Sequence, residues 1–248
     1  MSGHSRWSSI KHKKGAADAK RGKLFTKLIK AITVAARQSG GDPNANPALR
    51  TAITSAKNAN MPNDNIDRAI KKGTGELEGI TYEEVFYEGY GPKGVAIYVQ
   101  CLTDNKNRTT AEVRNLFSKN NGNMAGVGCV AWLFESKGLI VVTADEIKED
   151  RLMEIAIDAG AEDFSKDKDV FEIITAPQDF ENIRKTIADN AIPIQSSDLT
   201  YIPKNEIPLT VDEAKRVLKL VEILEDHEDI QNVYANFEIP DEVMNDIE

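Results

Sequence analysis

Charge divides this chain at Gly73-Thr74-Gly75-Glu76. Residues 1–75 carry 15 Lys and Arg against 4 Asp and Glu, a net +11. Residues 76–248 carry 16 against 36, a net −20, so the overall −9 conceals two opposite halves. A segment this basic, joined to a body this acidic, calls for a polyanion at one end only. Nucleic acid is the leading candidate. The 248 residues are enough chain for two or three domains. No apolar run approaches the roughly 18–20 residues of a membrane helix. Residues 1–7 lack the apolar stretch of a signal peptide, which points to a cytoplasmic protein with no membrane role. Cys101 and Cys129 form no CxxC and are expected as buried, reduced thiols. Three histidines supply no His-rich metal site, and no metal or cofactor is expected.

Residues 1–17 read as a basic tail with little apolar surface to pack. Helical spacing predicts a helix from Asp18 into the thirties. Leu24, Phe25, Leu28, Ile29, Ile32 and Ala36 fall on one side, and Lys20, Lys23, Lys27, Lys30 and Arg37 on the other. Asn46-Pro47 reads as N-cap and first residue of a second helix, with Leu49, Ala52, Ile53 and Ala56 inward. Pro62 opens a third. Its Ile66, Ala69 and Ile70 face inward, Arg68, Lys71 and Lys72 face outward, and Gly73 caps it. Beyond the charge break, strands are expected at 85–90, 95–102, 129–134, 139–143, 170–175, 195–202 and 232–237. Helices are expected at 107–120, 145–159, 177–190 and 211–226. This pattern predicts an α+β chain: an N-terminal helical bundle followed by two ferredoxin-like α+β units, one inserted in the other. The expected domains are 1–75, 76–130 together with 204–248, and 131–203.

In the tail, Arg6, Lys11, Lys13 and Lys14 suit phosphates, whereas Trp7 and His12 suit stacking on unpaired bases. The bland alternative is a solubilising tail. The row Lys20, Lys23, Lys27, Lys30 and Arg37, with Arg21 beside it, has no acid at i±4 to pair with its members. That weakens the alternative of a solvated helix face. Asn63, Asn65, Arg68, Lys71 and Lys72 follow the second helix closely, as in a helix-turn-helix. A polar bundle surface would look the same. Lys106, Arg108, Arg114 and Lys119 form a small basic island after Thr103-Asp104-Asn105, where phosphate binding and turn capping compete. Residues 122–128 match no phosphate-loop spacing and read as a flexible turn. The acidic runs 163–169 and 222–229 read as solvated faces. No nucleophile stands at a recognisable spacing from a base, so an enzyme acting on nucleotides or RNA is the remote alternative.

Several of these stretches together resemble the YebC/PmpR family. They are Gly3-His4-Ser5-Arg6-Trp7, Ile10-Lys11-His12-Lys13, Asn46-Pro47-Ala48-Leu49-Arg50, Asn60-Met61-Pro62 and Arg68-Ala69-Ile70-Lys71-Lys72-Gly73. Tyr87-Glu88-Gly89-Tyr90-Gly91-Pro92, Thr103-Asp104-Asn105 with Asn107-Arg108-Thr109, and Ala235-Asn236-Phe237-Glu238-Ile239-Pro240 complete the set. That family is similar to the mitochondrial translational activator of cytochrome oxidase subunit I. The resemblance implies three domains, one inserted in another, and no catalytic residues. It implies a cytoplasmic DNA-binding transcriptional regulator, or a ribosome-linked factor that relieves stalled translation. Arg6 stands where Lys is usual, and Lys30-Ala31 where Arg-Glu is common.

The expected function is therefore a non-enzymatic, nucleic-acid-binding regulator of gene expression, with DNA as ligand. The alternative is a ribosome-associated translation factor binding ribosomal RNA. No small-molecule substrate is expected.

Overall fold

The computed structural model describes residues 18–167, 169–240 and 243. The chain separates into two compact units: residues 134–204, and the remainder on either side of them. The larger unit opens with three helices, α1 (Asp18–Ser39), α2 (Pro47–Asn58) and α3 (Asn63–Thr74). Their apolar stripes meet in a core of Ile32, Leu49, Ala56, Met61, Ile66 and Ala69. Asn46 fixes the first corner. Its carboxamide oxygen accepts the Leu49 amide at 3.1 Å, capping α2. Its nitrogen donates to the Ala35 and Gly40 carbonyls, both at 2.8 Å, which closes the open end of α1. Gly73, expected as the cap of α3, lies inside the helix, and Gly75 takes the left-handed cap position instead. The role of Gly73 is close approach. A Cβ there would sit 2.5 Å from the Thr33 carbonyl oxygen and 2.7 Å from the Ala36 Cβ on α1.

The chain then forms β1 (Glu83–Tyr90), β2 (Ala96–Thr103), α4 (Lys106–Lys119) and the short β3 (Asn123–Met124). Residues 129–133, expected to begin a strand, are instead a loop and a 3-10 turn. Their amides are drawn to a carboxylate rather than to a neighbouring strand. The smaller unit follows: β4 (Phe134–Thr143), α5 (Glu149–Asp158), β5 (Asp163–Asp167), β6 (Val170–Thr175), α6 (Phe180–Asp189) and β7 (Ile194–Pro203). Returning to the larger unit, the chain makes β8 (Ile207–Pro208), α7 (Val211–Glu225), β9 (Ile230–Ala235) and β10 (Phe237–Glu238).

The smaller unit has the βαββαβ order and the sheet order β5-β6-β4-β7 of a ferredoxin-like sandwich. Its core is Ile140, Leu152, Phe171, Ile173, Phe180 and Ile183. The acidic run expected to be a solvated face forms β5, an edge strand whose Phe164 stacks on Phe171. The sheet of the larger unit runs β3-β1-β2-β9. Here the hairpin joins the two central strands, and the path β2–α4–β3 steps across β1. This is a related α+β order, though not the βαββαβ one. α4 and α7 bring Val113, Phe117, Val217, Leu220 and Leu224 onto one sheet face. No helix of the described residues is long and apolar enough to cross a membrane.

Two glycines of the bundle should respond oppositely to a methyl group. Gly73→Ala should destabilise by about 1–3 kcal/mol, because Thr33 and Ala36 have no room to yield. Gly22→Ala, on the exposed side of α1 with nothing within 4 Å, should stabilise by about 0.5–1 kcal/mol. Chemical denaturation of the two variants checks both signs.

Candidate nucleic-acid interface

The lysine row of α1 is not an open cationic face. Lys23, Lys27 and Lys30 share one side of the helix and meet the end of α7 and the loop behind it. The Lys23 ammonium lies 2.6 Å from the Asp226 carboxylate. Lys27 donates to the Glu225 carbonyl at 2.5 Å. Lys30 donates to the Glu228 carbonyl at 3.2 Å and to the Asp229 carboxylate at 2.5 Å. The physical reason lies in α7. Its last turn has no basic residue of its own, and its final carbonyls form the negative end of the helix dipole. Cations from α1 supply the missing charge. Lys30, expected among the phosphate-binding residues, is 5% exposed and is consumed in this contact.

Asp229 is the centre of the arrangement. It is 1% exposed. One carboxylate oxygen takes Lys30, and the other accepts from Arg108 and from the Thr109 hydroxyl, each at 2.7 Å. Burial pushes its carboxyl up, but the Lys30, Arg108 and Thr109 bonds outweigh burial and hold it down at about 2. Arg108 also binds Asp104 at 3.0 Å, and the Asn105 side chain caps α4 by accepting the Arg108 amide at 3.1 Å. The loop and first turn at the α4 N-terminus therefore cap the helix and hold Asp229. The run 222–229, expected as a solvated face, contains the most buried acid of this contact.

Glu112, His227 and Asp229 bring ligand-type atoms within 4.8 Å of one another. Their chemistry is that of a hydrogen-bond chain. The His227 Nδ1 accepts the Asp229 amide at 3.1 Å, so a neutral ring carries its proton on Nε2 and donates to Glu112 at 2.9 Å. The Asp229 oxygens are already engaged by Lys30, Arg108 and Thr109, and the His227 Nδ1 by a backbone amide.

Arg6, Trp7, Lys11, His12, Lys13 and Lys14 lie outside the described residues. Lys20 falls in the first turn of α1, and its side chain is likewise not described. Arg21, Arg37, Arg68 and Lys71 are exposed, and Lys72 is half-buried. Asp64 and Asp67 stand on the outward face of α3 beside Arg68 and Lys71, so that face is mixed rather than purely basic. Among the described residues none of the four exposed cations pairs with another side chain.

A second carboxylate went unrecognised in the sequence. Glu88, in the middle of β1, is 4% exposed. It accepts the amides of Gly128 and Val130 at 2.6 Å and of Ala131 at 2.8 Å. Burial raises its pKa, but these backbone bonds prevail and hold it below the ordinary carboxylate value. The loop 122–128, expected as a flexible turn, is thus clamped, and Gly128 supplies a left-handed turn (φ 87°) within it. An acid between apolar strand neighbours, Tyr87-Glu88-Gly89, was the available signal. Cys129, expected to be buried, is exposed on this loop, whereas Cys101 is buried. Burial first, then the Asp229 charge, pushes the Cys101 thiol up to about 12.

Asp229→Asn should destabilise the protein by about 3–5 kcal/mol, since it leaves the buried Lys30 ammonium without its counter-charge. In the native protein the Asp229 carboxyl is depressed from 3.8 to about 2. Its contribution is therefore complete above the ordinary carboxylate range and is lost as pH falls through that window. Unfolding free energies measured from neutral to acidic pH should fall less steeply in Asp229→Asn than in the native chain.

Known proteins are similar to this chain over most of its length. Residues 5–76 match the TACO1/YebC protein N-terminal domain, and residues 82–237 match the TACO1/YebC second and third domain. A protein of Natranaerobius thermophilus is 56% identical over 98% of this chain and 99% of its own length. One of Desulforapulum autotrophicum is 58% identical over 98% of each chain. Both bear the name "Probable transcriptional regulatory protein". The crystal structure of a conserved hypothetical protein from Aquifex aeolicus superposes with a TM-score of 0.82. It is 50% identical and covers 90% of this chain and 92% of its own. Both segments and the full-length relatives agree: the chain belongs to the TACO1/YebC family.

Proposed function

We propose that this protein is a cytoplasmic, non-enzymatic regulator of gene expression that binds nucleic acid through the basic residues 1–75. The observation that carries this reading is the charge division, +11 against −20. Part of the positive charge is engaged internally: Lys23 and Lys30 pair with carboxylates, and Lys27 donates to a backbone carbonyl. Arg21, Arg37, Arg68 and Lys71 remain exposed, and with Lys72, Lys20 and the tail residues Arg6, Lys11, Lys13 and Lys14 they form the proposed grip. Trp7 and His12 add rings for stacking. For dissecting the grip from the body, the domain limits 1–75, 76–130 with 204–248, and 131–203 are the ones we propose.

The relatives' name supports DNA and transcription as the setting. One observation favours the second reading, ribosomal RNA and translation. The outward face of α3 mixes Asp64 and Asp67 with Arg68 and Lys71, which suits a major-groove recognition helix poorly. An acidic body also repels a bare duplex lying along it.

Binding of the full chain to duplex DNA and to ribosomal RNA should be measured by anisotropy across a salt series. Affinity should fall steeply with salt, and Arg37→Glu with Arg68→Glu and Lys71→Glu should flatten the slope by roughly 0.9 for each phosphate no longer engaged. An unchanged slope removes these residues from the grip. Preference for one duplex over random duplexes in matched salt supports the DNA reading. Co-sedimentation with ribosomes that disappears on deleting residues 1–17 supports the RNA reading.

A further inference from the structure

The clamped loop after β3 presents apolar groups to solvent. Val127 is 94% exposed and Trp132 63% exposed, and Tyr90 stands beside them at the end of β1. Exposed rings on a mobile loop would mean little. Here three amides bound to the buried Glu88 carboxylate hold the loop in one shape, although the groups it displays contribute nothing to the core.

The two rings are anchored in the same way. The Tyr90 hydroxyl and the Trp132 indole N–H both donate to the Cys129 carbonyl at 3.1 Å. Their polar ends are therefore already satisfied, and what remains for a ligand is aromatic surface. Such surface accepts any base, because every base has a π face.

The surroundings select the kind of ligand. Between Glu112 and Glu135 the sequence holds no acid at all, and its two charges are Arg114 and Lys119, both exposed. Residues 76–248 otherwise carry 36 acids. The Glu88 carboxylate beneath the loop is buried and bound to backbone amides, so a polyanion meets less repulsion along this stretch than elsewhere on the body. A purely apolar protein socket would gain nothing from that exclusion of exposed carboxylates.

We propose that Tyr90 and Trp132, with Val127 on the same clamped loop, form a stacking site for unpaired nucleotide bases. It would be a second nucleic-acid contact, located in the acidic body. The inference rests on the nucleic-acid reading above and extends it, since the site engages single strands rather than duplex. Glu88 is its positioning residue and touches no ligand itself.

The chain has two tryptophans, Trp7 and Trp132. Trp7→Phe keeps a ring at position 7 and leaves Trp132 as the sole tryptophan, excited selectively over the six tyrosines. The full-length Trp7→Phe protein is titrated with oligoadenylate and with oligodeoxyadenylate of about 12 nucleotides, and with a duplex of the same length. Single strands should quench Trp132 emission and the duplex should not. Comparison of the two strands identifies the preferred sugar. Trp132→Ala should weaken single-strand binding by about 5- to 150-fold, the equivalent of about 1–3 kcal/mol per stacked base. Glu88→Gln should lower the emission anisotropy of Trp132 and reduce quenching while binding through the N-terminal residues persists. Single strands that bind without altering Trp132 emission, or that bind Trp132→Ala equally well, would overturn this inference and leave the nucleic-acid reading standing. Trp132 unquenched by any strand, yet shielded from iodide by a protein partner, would overturn it in favour of an apolar protein socket. Failure of strands and duplex alike to bind would overturn both readings.

Discussion

One buried carboxylate joins the parts of the larger unit. Asp229 sits between α7 and β9 and takes Lys30 from α1, Arg108 and Thr109 from α4, and its own backbone bonds to neighbours. Its carbonyl accepts the Leu102 amide of β2 at 2.8 Å. A charge so deeply buried is tolerable only when its oxygens are fully engaged. Loss of the carboxylate strands the buried Lys30 ammonium, whereas Arg108 keeps Asp104; loss of Lys30 leaves the carboxylate only its Arg108 and Thr109 bonds. The three-helix bundle is held to the sheet by this contact and by the two lysines before it, which line up on the carbonyls ending α7.

The same physics recasts the charge division. Acids and carbonyls of residues 225–229 occupy the place on α1 where phosphates were expected. Glu88 likewise fills, from inside, the cradle of amides in the loop after β3. Both sites use anion-binding geometry on the chain's own carboxylates. Among the described residues, the exposed positive charge that the chain does not itself pair is consequently narrower than the composition suggests, and it includes Arg21 and Arg37 on α1 and Arg68 and Lys71 on the outer side of α3.

Local features were legible from sequence because their causes are local. Asn46-Pro47 marks a helix start, since the side chain and the missing amide act within three residues. The apolar stripe of α1 marks its buried side for the same reason. The lysine row opposite was legible as polar, but amphipathicity does not tell what covers a polar face. Its partners lie about 200 residues away, at Glu225, Asp226 and Asp229. The strand order of the larger sheet was hidden likewise, because the hairpin β1–β2 is the same local object whether it is central or at an edge. Residues 129–133 misled through their apolar content. Val130 is buried, but its amide serves Glu88 rather than a strand. That bond depends on an acid 42 residues earlier.

The central claim is that the Lys30 face of α1 is closed by the chain itself while the remaining cations meet nucleic acid. Amine footprinting by reductive methylation and mass spectrometry, with and without bound nucleic acid, tests it most directly. Lys30 should resist modification in the free protein and in the complex, whereas Lys11, Lys13, Lys14 and Lys71 should be modified when free and shielded on binding. Rapid modification of Lys30 in the free protein, with shielding only when nucleic acid is added, would contradict the account.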